Sequence, residues 1–387
     1  MRIGLLKESG LETRVGLVPR SLKKLQAAGF TVAVEVGAGL SSGHQDSDYN
    51  EAGAEVLSRK EILGCDIVVG LHFPSGDPVQ PGTVLVCVAD PFRHPQRVRD
   101  CCTNNITLLS LDVIPRRLTN AQGMDVNSSQ DALHGYQAVV HGASMLPKAI
   151  PMLTTAAGSV RPAKALVMGS GVAGLQAIAT ANRMGFSVSA SDVRLSAATQ
   201  IESVGGRFIR VDGMEDHEDA SGYAKPLSEE VMGQLNEAVA KEAERSDLII
   251  TSARIFGQKP PKTLSEAVVE RCQPDTVIVD LNADIGGNCE LTVPGETVVT
   301  HNRIHVVGEE HLARRIPKTA SAFFSNNVTD LLSSLSEDGN LNLSEDNPIL
   351  TGSPEGDPLH VPDMGGVLVC HNGNVPDQHT RLQGLLP

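Results

Sequence analysis

ALVMGSGVAGLQAIATA, residues 165–181, is the stretch on which the reading of this chain turns. Ala165–Met168 is an apolar run of strand length, Gly169, Gly171 and Gly174 follow in G-x-G-x-x-G spacing, and Leu175, Ala177 and Ala179 continue in a helix-forming run. A strand, a tight turn and a helix in that order put the glycines where a dinucleotide fingerprint sits. They permit the turn, the approach of backbone to a pyrophosphate and close helix packing, and the helix N-terminus offers free N–H groups to negative charge. A glycine turn can also serve packing alone, so the acidic residue that follows carries weight. It is Asp192, 23 positions after Gly169 and just past the next strand, SVSAS at 187–191. A carboxylate there accepts ribose hydroxyls and repels a 2′-phosphate, which favours NAD over NADP. The expected nucleotide contacts are Gly169, Gly171, Val172, Ala173 and Gly174 in the turn, with Asp192, Val193 and Arg194 after the strand. Arg194 has two readings, a solvated partner of Asp192 or a cation that reverses the preference. Three glycines within the window also argue against a membrane span.

Around this stretch, strands and helices alternate. ALVM, SVSAS, RFIRV (207–211), LIIT (248–251) and TVIVD (276–280) are separated by helical or polar segments, which implies right-handed crossovers and a parallel sheet. A polar stretch, DGMEDHEDASGYAKP at 212–226, is too long for an ordinary connection and reads as a mobile loop with Tyr223 its only aromatic residue. The first 110 residues alternate in the same way: IGLL at 3–6, TVAVEV at 31–36, DIVVG at 66–70, TVLVCVA at 83–89 and ITLLSL at 106–111, with a helix opened by Pro19 and closed by Gly29. Leu133, Tyr136, Val140 and Ala143 step by three and four, marking an amphipathic helix from about Ser128 to Leu146 at the crossing between domains. After Thr319, ASAFFSNNVTDLLSSL has helical periodicity, and the tail carries one short apolar run, GGVLVC at 365–370. The expected fold is α/β: two Rossmann-like domains with parallel sheets and a cofactor cleft between them. Residues 1–126 form an N-terminal domain completed by 320–387, and 127–319 form the nucleotide-binding domain.

Composition limits the function classes. A net charge of −14 repels a phosphate backbone and supplies no basic patch, so no nucleic-acid or anionic-lipid partner is expected. Seven cysteines without C-x-x-C spacing or paired His ligands indicate neither a disulfide framework nor a metal site, and suit a reducing compartment. The opening MRIGLL reads as a first strand, not a signal peptide.

RRLTNAQGMDVNSS, residues 116–129, gathers Arg, Gln, Asp, Asn and Ser in a short irregular span. On composition it reads equally as a loop overhanging a cofactor or as a polar hinge ending in a helix cap at Ser128 or Ser129. His72, His94, His134 and His141 have no evident carboxylate or Cys partner in the sequence, and no catalytic base, nucleophile elbow or Walker loop is recognisable.

These residues resemble a known family, the NAD(H)-binding α subunit of proton-translocating nicotinamide nucleotide transhydrogenase. The likeness covers roughly residues 1–340 and is carried by RPAKALVMGSGVAGLQAIATANRMG (161–185), SDVR (191–194), SGYAK (221–225), GGNCELT (286–292) and PGETVV (294–299). The family's Arg, Gln and Asp loop falls on Arg117, Gln122 and Asp125, with Ser128 shortly after. The resemblance implies that Arg117 and Ser128 hold the nicotinamide carboxamide, that Gln122 and Asp125 face a partner's NADP(H), and that Tyr223 lies on a loop closing over NAD. It also implies a homodimer bound to an NADP-binding subunit and a membrane-spanning subunit. The chain would then be cytoplasmic, peripheral on the inner face of the membrane through those partners and without inserting directly. The last 50 residues would fold back on the first domain. The pattern departs from the family at DLNADIGGNCE (280–290), at EEHLARR (309–315) and at Pro226.

The opening KESGLETRVGLVP (7–19) also resembles alanine dehydrogenases. That family's Lys before an acidic-Pro pair is missing from Gly70–Pro74, and its His is displaced in Asp90–His94. Three functions are therefore in view: hydride transfer between NADH and a partner's NADP coupled to proton translocation, an amino-acid dehydrogenase, and a non-enzymatic NAD-responsive module.

Overall fold

The computed structural model describes residues 1–214, 227–254, 259–352 and 365–385. The chain packs into two units, Met1–Gln130 with Arg314–Pro387, and Asp131–Ala313.

The first unit is built on a seven-stranded sheet in the order Leu368–Cys370, Thr107–Ser110, Val84–Val88, Ile67–His72, Arg2–Leu5, Thr31–Glu35, Glu55–Leu57. All its pairs are parallel except that of Leu368–Cys370 with Thr107–Ser110. Strands covered on both faces read as unbroken apolar runs, and Ile3, Leu5, Val32, Val34, Ile67, Val69, Val86 and Leu109 are all buried in one core. The helix Pro317–Ser334 closes that core with Phe324, Val328, Leu331 and Leu332. Each such side chain contributes roughly 1.5–3 kcal/mol of burial. The tail's apolar run thus becomes an edge strand, over its last three residues only.

The second unit repeats the plan. Its strands run Arg207–Phe208, Ser187–Ser191, Lys164–Met168, Leu248–Thr251, Val277–Asp280, His305–Val307, Thr297–Val299, parallel except for the last pair. Numbered by order in the chain, the six parallel strands of each sheet follow 3-2-1-4-5-6, the doubly wound order, with an antiparallel seventh strand beyond strand 6. The architecture is the α/β class expected, two largely parallel sheets.

Several local expectations are corrected. RFIRV is a strand only over Arg207–Phe208. Short strands at Thr297–Val299 and His305–Val307, and a hairpin of Leu153–Thr155 with Gly158–Val160, lack an alternating pattern long enough to read as strands. The long helix is Val126–Met145, and Tyr136 is 40% exposed, so the stripe of large residues is not its buried face. That face is made of small residues. A Cβ on Gly135 would stand 2.0 Å from the carbonyl oxygen of Ala173, and one on Gly142 would stand 2.5 Å from Leu248. Ala138, Val139 and Ala143 are buried beside them. Glycines let the helix approach the nucleotide turn backbone to backbone, a signal that counting large apolar residues misses.

Candidate nucleotide-binding site

In the second unit the three glycines do three different things. Gly169, donating its N–H to the Ser191 carbonyl at 2.8 Å, turns the chain with φ of 98°, where a side chain is strained. Gly174 is packed so tightly that a Cβ would lie 1.9 Å from the Gly169 carbonyl oxygen. Gly171 is exposed, and a Cβ there would meet nothing within 4 Å. It is the N-cap of the helix Val172–Met184, with no side-chain cap, so the first-turn N–H groups have no acceptor from within the helix. Two glycines are required by the protein's own packing; the third leaves open space before a helix N-terminus, which fits a pyrophosphate.

The turn is braced from the neighbouring strand. Ser252, just after Leu248–Thr251, donates to the Gly169 carbonyl at 3.0 Å. Ser170, 1% exposed, donates its N–H and its hydroxyl to Asp192 Oδ2 at 2.9 and 2.6 Å. Arg194 donates to the other carboxylate oxygen from its backbone N and its Nε, each at 3.0 Å. Burial works to raise the Asp192 pKa, but Arg194 and Ser170 outweigh it and hold the carboxyl below its ordinary range. Asp192 is therefore an anion fixed beside the glycine turn, and Arg194 is its bidentate partner, the first of the two readings. Val193 is half-buried, and Val172 is 40% exposed at the helix start. Ser170 and Ser252 are functional neighbours that sequence reasoning misses. The position of Ser170 inside the glycine motif and of Ser252 at the end of the adjacent strand is the available signal.

The polar loop lies in the first unit. Gln122, Asp125 and Ser128 line one open hollow of about 440 Å³, together with Phe323, Asn326 and Asp330 from the helix Pro317–Ser334. Arg117 is exposed and does not line it, and Tyr223 lies outside the described residues. Asp125, 5% exposed, accepts from the Ser128 N–H at 2.9 Å and from its hydroxyl at 2.5 Å. It is the N-cap of the helix Val126–Met145, so the cap is Asp125, not Ser128 or Ser129. Ser129 instead donates to Asn327, whose amide donates to the Gly123 carbonyl at 2.7 Å, tying the loop to the second helix. Phe323, Asn326 and Asp330 share a helix face, a three-and-four spacing that the sequence displays without linking it to the loop.

The histidines do have carboxylate neighbours. His72 Nε2 lies 2.9 Å from Glu12, His141 lies 3.7 Å from Glu309, His134 lies 3.9 Å from Asp131 and His94 lies 4.0 Å from Asp90. The last two pairs are one helical turn apart in sequence and readable there; the first two come from tertiary folding. Glu12 is the hub of a buried group. It accepts from Arg14 Nε and Nη2, both at 2.8 Å, and Arg14 Nη1 donates to Gln130 at 2.8 Å. Burial would raise Glu12, yet the bonds from Arg14 and His72 and the Arg14 charge hold it far below the carboxylate range. Burial pushes the nearby Glu8 up, although its carboxylate accepts the Leu71 N–H at 2.6 Å. Among the described residues no His, Cys, Asp and Glu group is placed to hold a metal ion, and no helix is long and apolar enough to cross a membrane.

Comparison with known proteins agrees with this arrangement. Residues 4–133 match the alanine dehydrogenase/PNT N-terminal domain and residues 138–355 match the C-terminal domain. The chain is 39% identical over 345 residues to an NAD(P) transhydrogenase subunit alpha chain of Rhodospirillum rubrum, covering 86% of this chain and 89% of that one. It is 35% identical over 346 residues to NAD(P) transhydrogenase subunit alpha of Haemophilus influenzae, covering 88% and 67%. A transhydrogenase structure from Sinorhizobium meliloti superimposes with a TM-score of 0.84 at 33% identity, over 97% of this chain and all of that one. An L-alanine dehydrogenase shares the fold, with a TM-score of 0.78 at 22% identity over the whole of this chain and 99% of its own. With both domains matched and relatives of this identity along most of its length, the chain belongs to the alanine dehydrogenase/PNT family.

Proposed function

We propose that the chain is the NAD(H)-binding subunit of an NAD(P) transhydrogenase, presenting NADH for hydride transfer to NADP held on a partner subunit. The observation that carries the nucleotide assignment is the glycine turn, where Gly171 leaves the helix N-terminus open while Asp192 stands fixed beside it. The choice of transhydrogenase rests on relatives that bear that name at 35–39% identity.

When bound, the nicotinamide supplies the hydride chemistry. The first-turn backbone of Val172, Ala173 and Gly174 faces the pyrophosphate, and Asp192 takes the ribose hydroxyls, for which Arg194 must yield part of its hold. Transfer between two nicotinamide rings moves no substrate proton, so the site needs orientation and exclusion of water, not an acid or base. Gln122, Asp125, Ser128 and Arg117 are assigned as orienters on this ground. Asp125 spends its carboxylate on a helix cap and on the Ser128 hydroxyl, which suits a group that sets loop shape.

Proton translocation belongs to membrane-spanning partner subunits, and this subunit sits against the inner face of the membrane through them. A homodimer is supported by the hairpin Leu153–Val160: all six strand residues are exposed, with Met152, Leu153 and Val160 presenting apolar surface. A two-stranded hairpin is marginal by itself, and a second copy would cover it.

The test is to mix the chain with an NADP-binding subunit from a relative and follow reduction of an NAD analogue by NADPH. Turnover only in the mixture supports the assignment; its absence rejects it. Alanine-dependent NADH formation by the chain alone would favour the dehydrogenase reading.

A further inference from the structure

The sequence offers no reason to pair any two of the seven cysteines, and all seven are unbridged. The fold nevertheless brings two of them together. Cys102, in the last turn of the helix Pro95–Thr103, and Cys370, at the end of the edge strand Leu368–Cys370, have their Sγ atoms 2.8 Å apart across 268 residues of sequence. That is inside the contact distance of unbonded sulfurs and needs a shift of under 1 Å to reach the bonded separation of about 2.05 Å. We propose that Cys102 and Cys370 form a reversible disulfide, exchanged with low-molecular-weight disulfides, that fastens the C-terminal strand to the first sheet.

The two thiols differ in ways that assign their roles. Cys102 is half-buried and Cys370 fully buried, so an outside disulfide reaches Cys102 first. The hydrogen bond from Cys370 holds the Cys102 thiol below its usual range, while the same bond and burial push Cys370 up. Burial raises all the other cysteines, Cys101 and Cys272 to about 12 and Cys289 to about 11. Cys102 is thus the attacking group and Cys370 the resolving one. The Cys102 thiolate attacks one sulfur of the incoming disulfide, breaking its S–S bond and releasing one thiolate. Cys370 gives its proton to that thiolate and attacks Cys102 Sγ, releasing the second. Two protein thiols lose two hydrogens in total, and the small disulfide becomes two small thiols.

The edge strand is where a clasp has an effect. It pairs with Thr107–Ser110 through a register shift and is the only antiparallel strand among the described strands of its sheet. Leu368, Val369 and Cys370 are fully buried, and the Val367 carbonyl accepts the Ser110 N–H at 2.8 Å. Losing the strand would expose both that surface and the edge of Thr107–Ser110.

The experiment equilibrates the full chain with rising ratios of oxidised to reduced glutathione, quenches by alkylation and maps peptides by mass spectrometry. The expected result is loss of two alkylatable thiols and a cross-link between the peptide carrying Cys101 and Cys102 and the one carrying Cys370. C102S or C370S abolishes the link and C101S keeps it. In the oxidised protein, amide exchange at Leu368–Cys370 slows by about tenfold. A glutathione adduct that persists on Cys102 with Cys370 still alkylatable, seven free thiols at the most oxidising ratio, or a link that survives C102S overturns the pairing. Unchanged exchange in the bridged protein overturns the fastening. Mapping the unsubstituted chain decides the pairing even where a serine variant does not fold.

Discussion

The two sheets share a strand order, yet the ends of their first and fourth strands hold opposite things. In the second unit, where Lys164–Met168 meets Leu248–Thr251, the chain places glycines and Ser252, leaving backbone N–H groups beside open space. In the first unit, where Arg2–Leu5 meets Ile67–His72, the corresponding ground is filled by Glu8, Glu12, Arg14 and His72, bonded to one another and to backbone. Doubly wound sheets offer a crevice at this switch point, but the offer is general and the site is particular. One switch point is empty of side chains and suits a phosphate; the other is closed by the protein's own ion pair.

The contrast is open to breaking, first at the filled end. Glu12→Gln should destabilise the first unit by about 3–5 kcal/mol, because it leaves the buried Arg14 charge without its counter-ion. Denaturant unfolding followed in the two units separately checks this, and a small loss would mean the cluster is wetter than its burial indicates. Because the folded pKa of Glu12 lies below the unfolded value of 4.5, its contribution is complete above that pH and is lost as pH falls through the folded value. Acid unfolding of the first unit should accordingly be steeper in the unsubstituted chain than in Glu12→Gln.

At the open end, Gly174→Ala should cost about 3 kcal/mol in the second unit and abolish nucleotide binding, since the added methyl meets backbone with nowhere to go. Thermal unfolding and NADH fluorescence titration read both effects. Asp192→Ala should weaken NADH binding by roughly tenfold or more through loss of charged hydrogen bonds, and should narrow the preference over NADPH as Arg194 is released. Titration with both nucleotides tests it, and an unchanged ratio would remove Asp192 from the selectivity argument. The smallest effects belong to the polar loop. Asp125→Ala should cost about 1 kcal/mol as a lost helix cap. Gln122→Asn should slow transfer in the mixed assay while leaving NADH affinity nearly intact, and equal loss of both would show that Gln122 holds nucleotide.

How much of this is legible in the sequence depends on what each residue answers to. The turn at Gly169–Gly174 can be read because its constraint is local: a strand, a positive φ, a helix start and an acidic residue at fixed spacing. Asp192 is found the same way, but Ser170 and Ser252 are not, since their use depends on which strand lies next door. In the polar loop the residues are visible and their duties are not. Asp125 as a helix cap and Asn327 as the tie to Gly123 depend on where the helices begin and which face they turn to one another. The pairing of His72 with Glu12 is beyond reach because 60 residues separate them.

The sequence alone determined the alternation of elements, the fingerprint turn and its acidic companion, because strand and helix periods and the φ of glycine act over a few residues. Tertiary structure decided which switch point stays open and that the tail becomes an edge strand. It also decided that Cys102 meets Cys370. Those outcomes depend on burial and on contacts between segments far apart in the chain, whose free energy exists only once the sheets have formed.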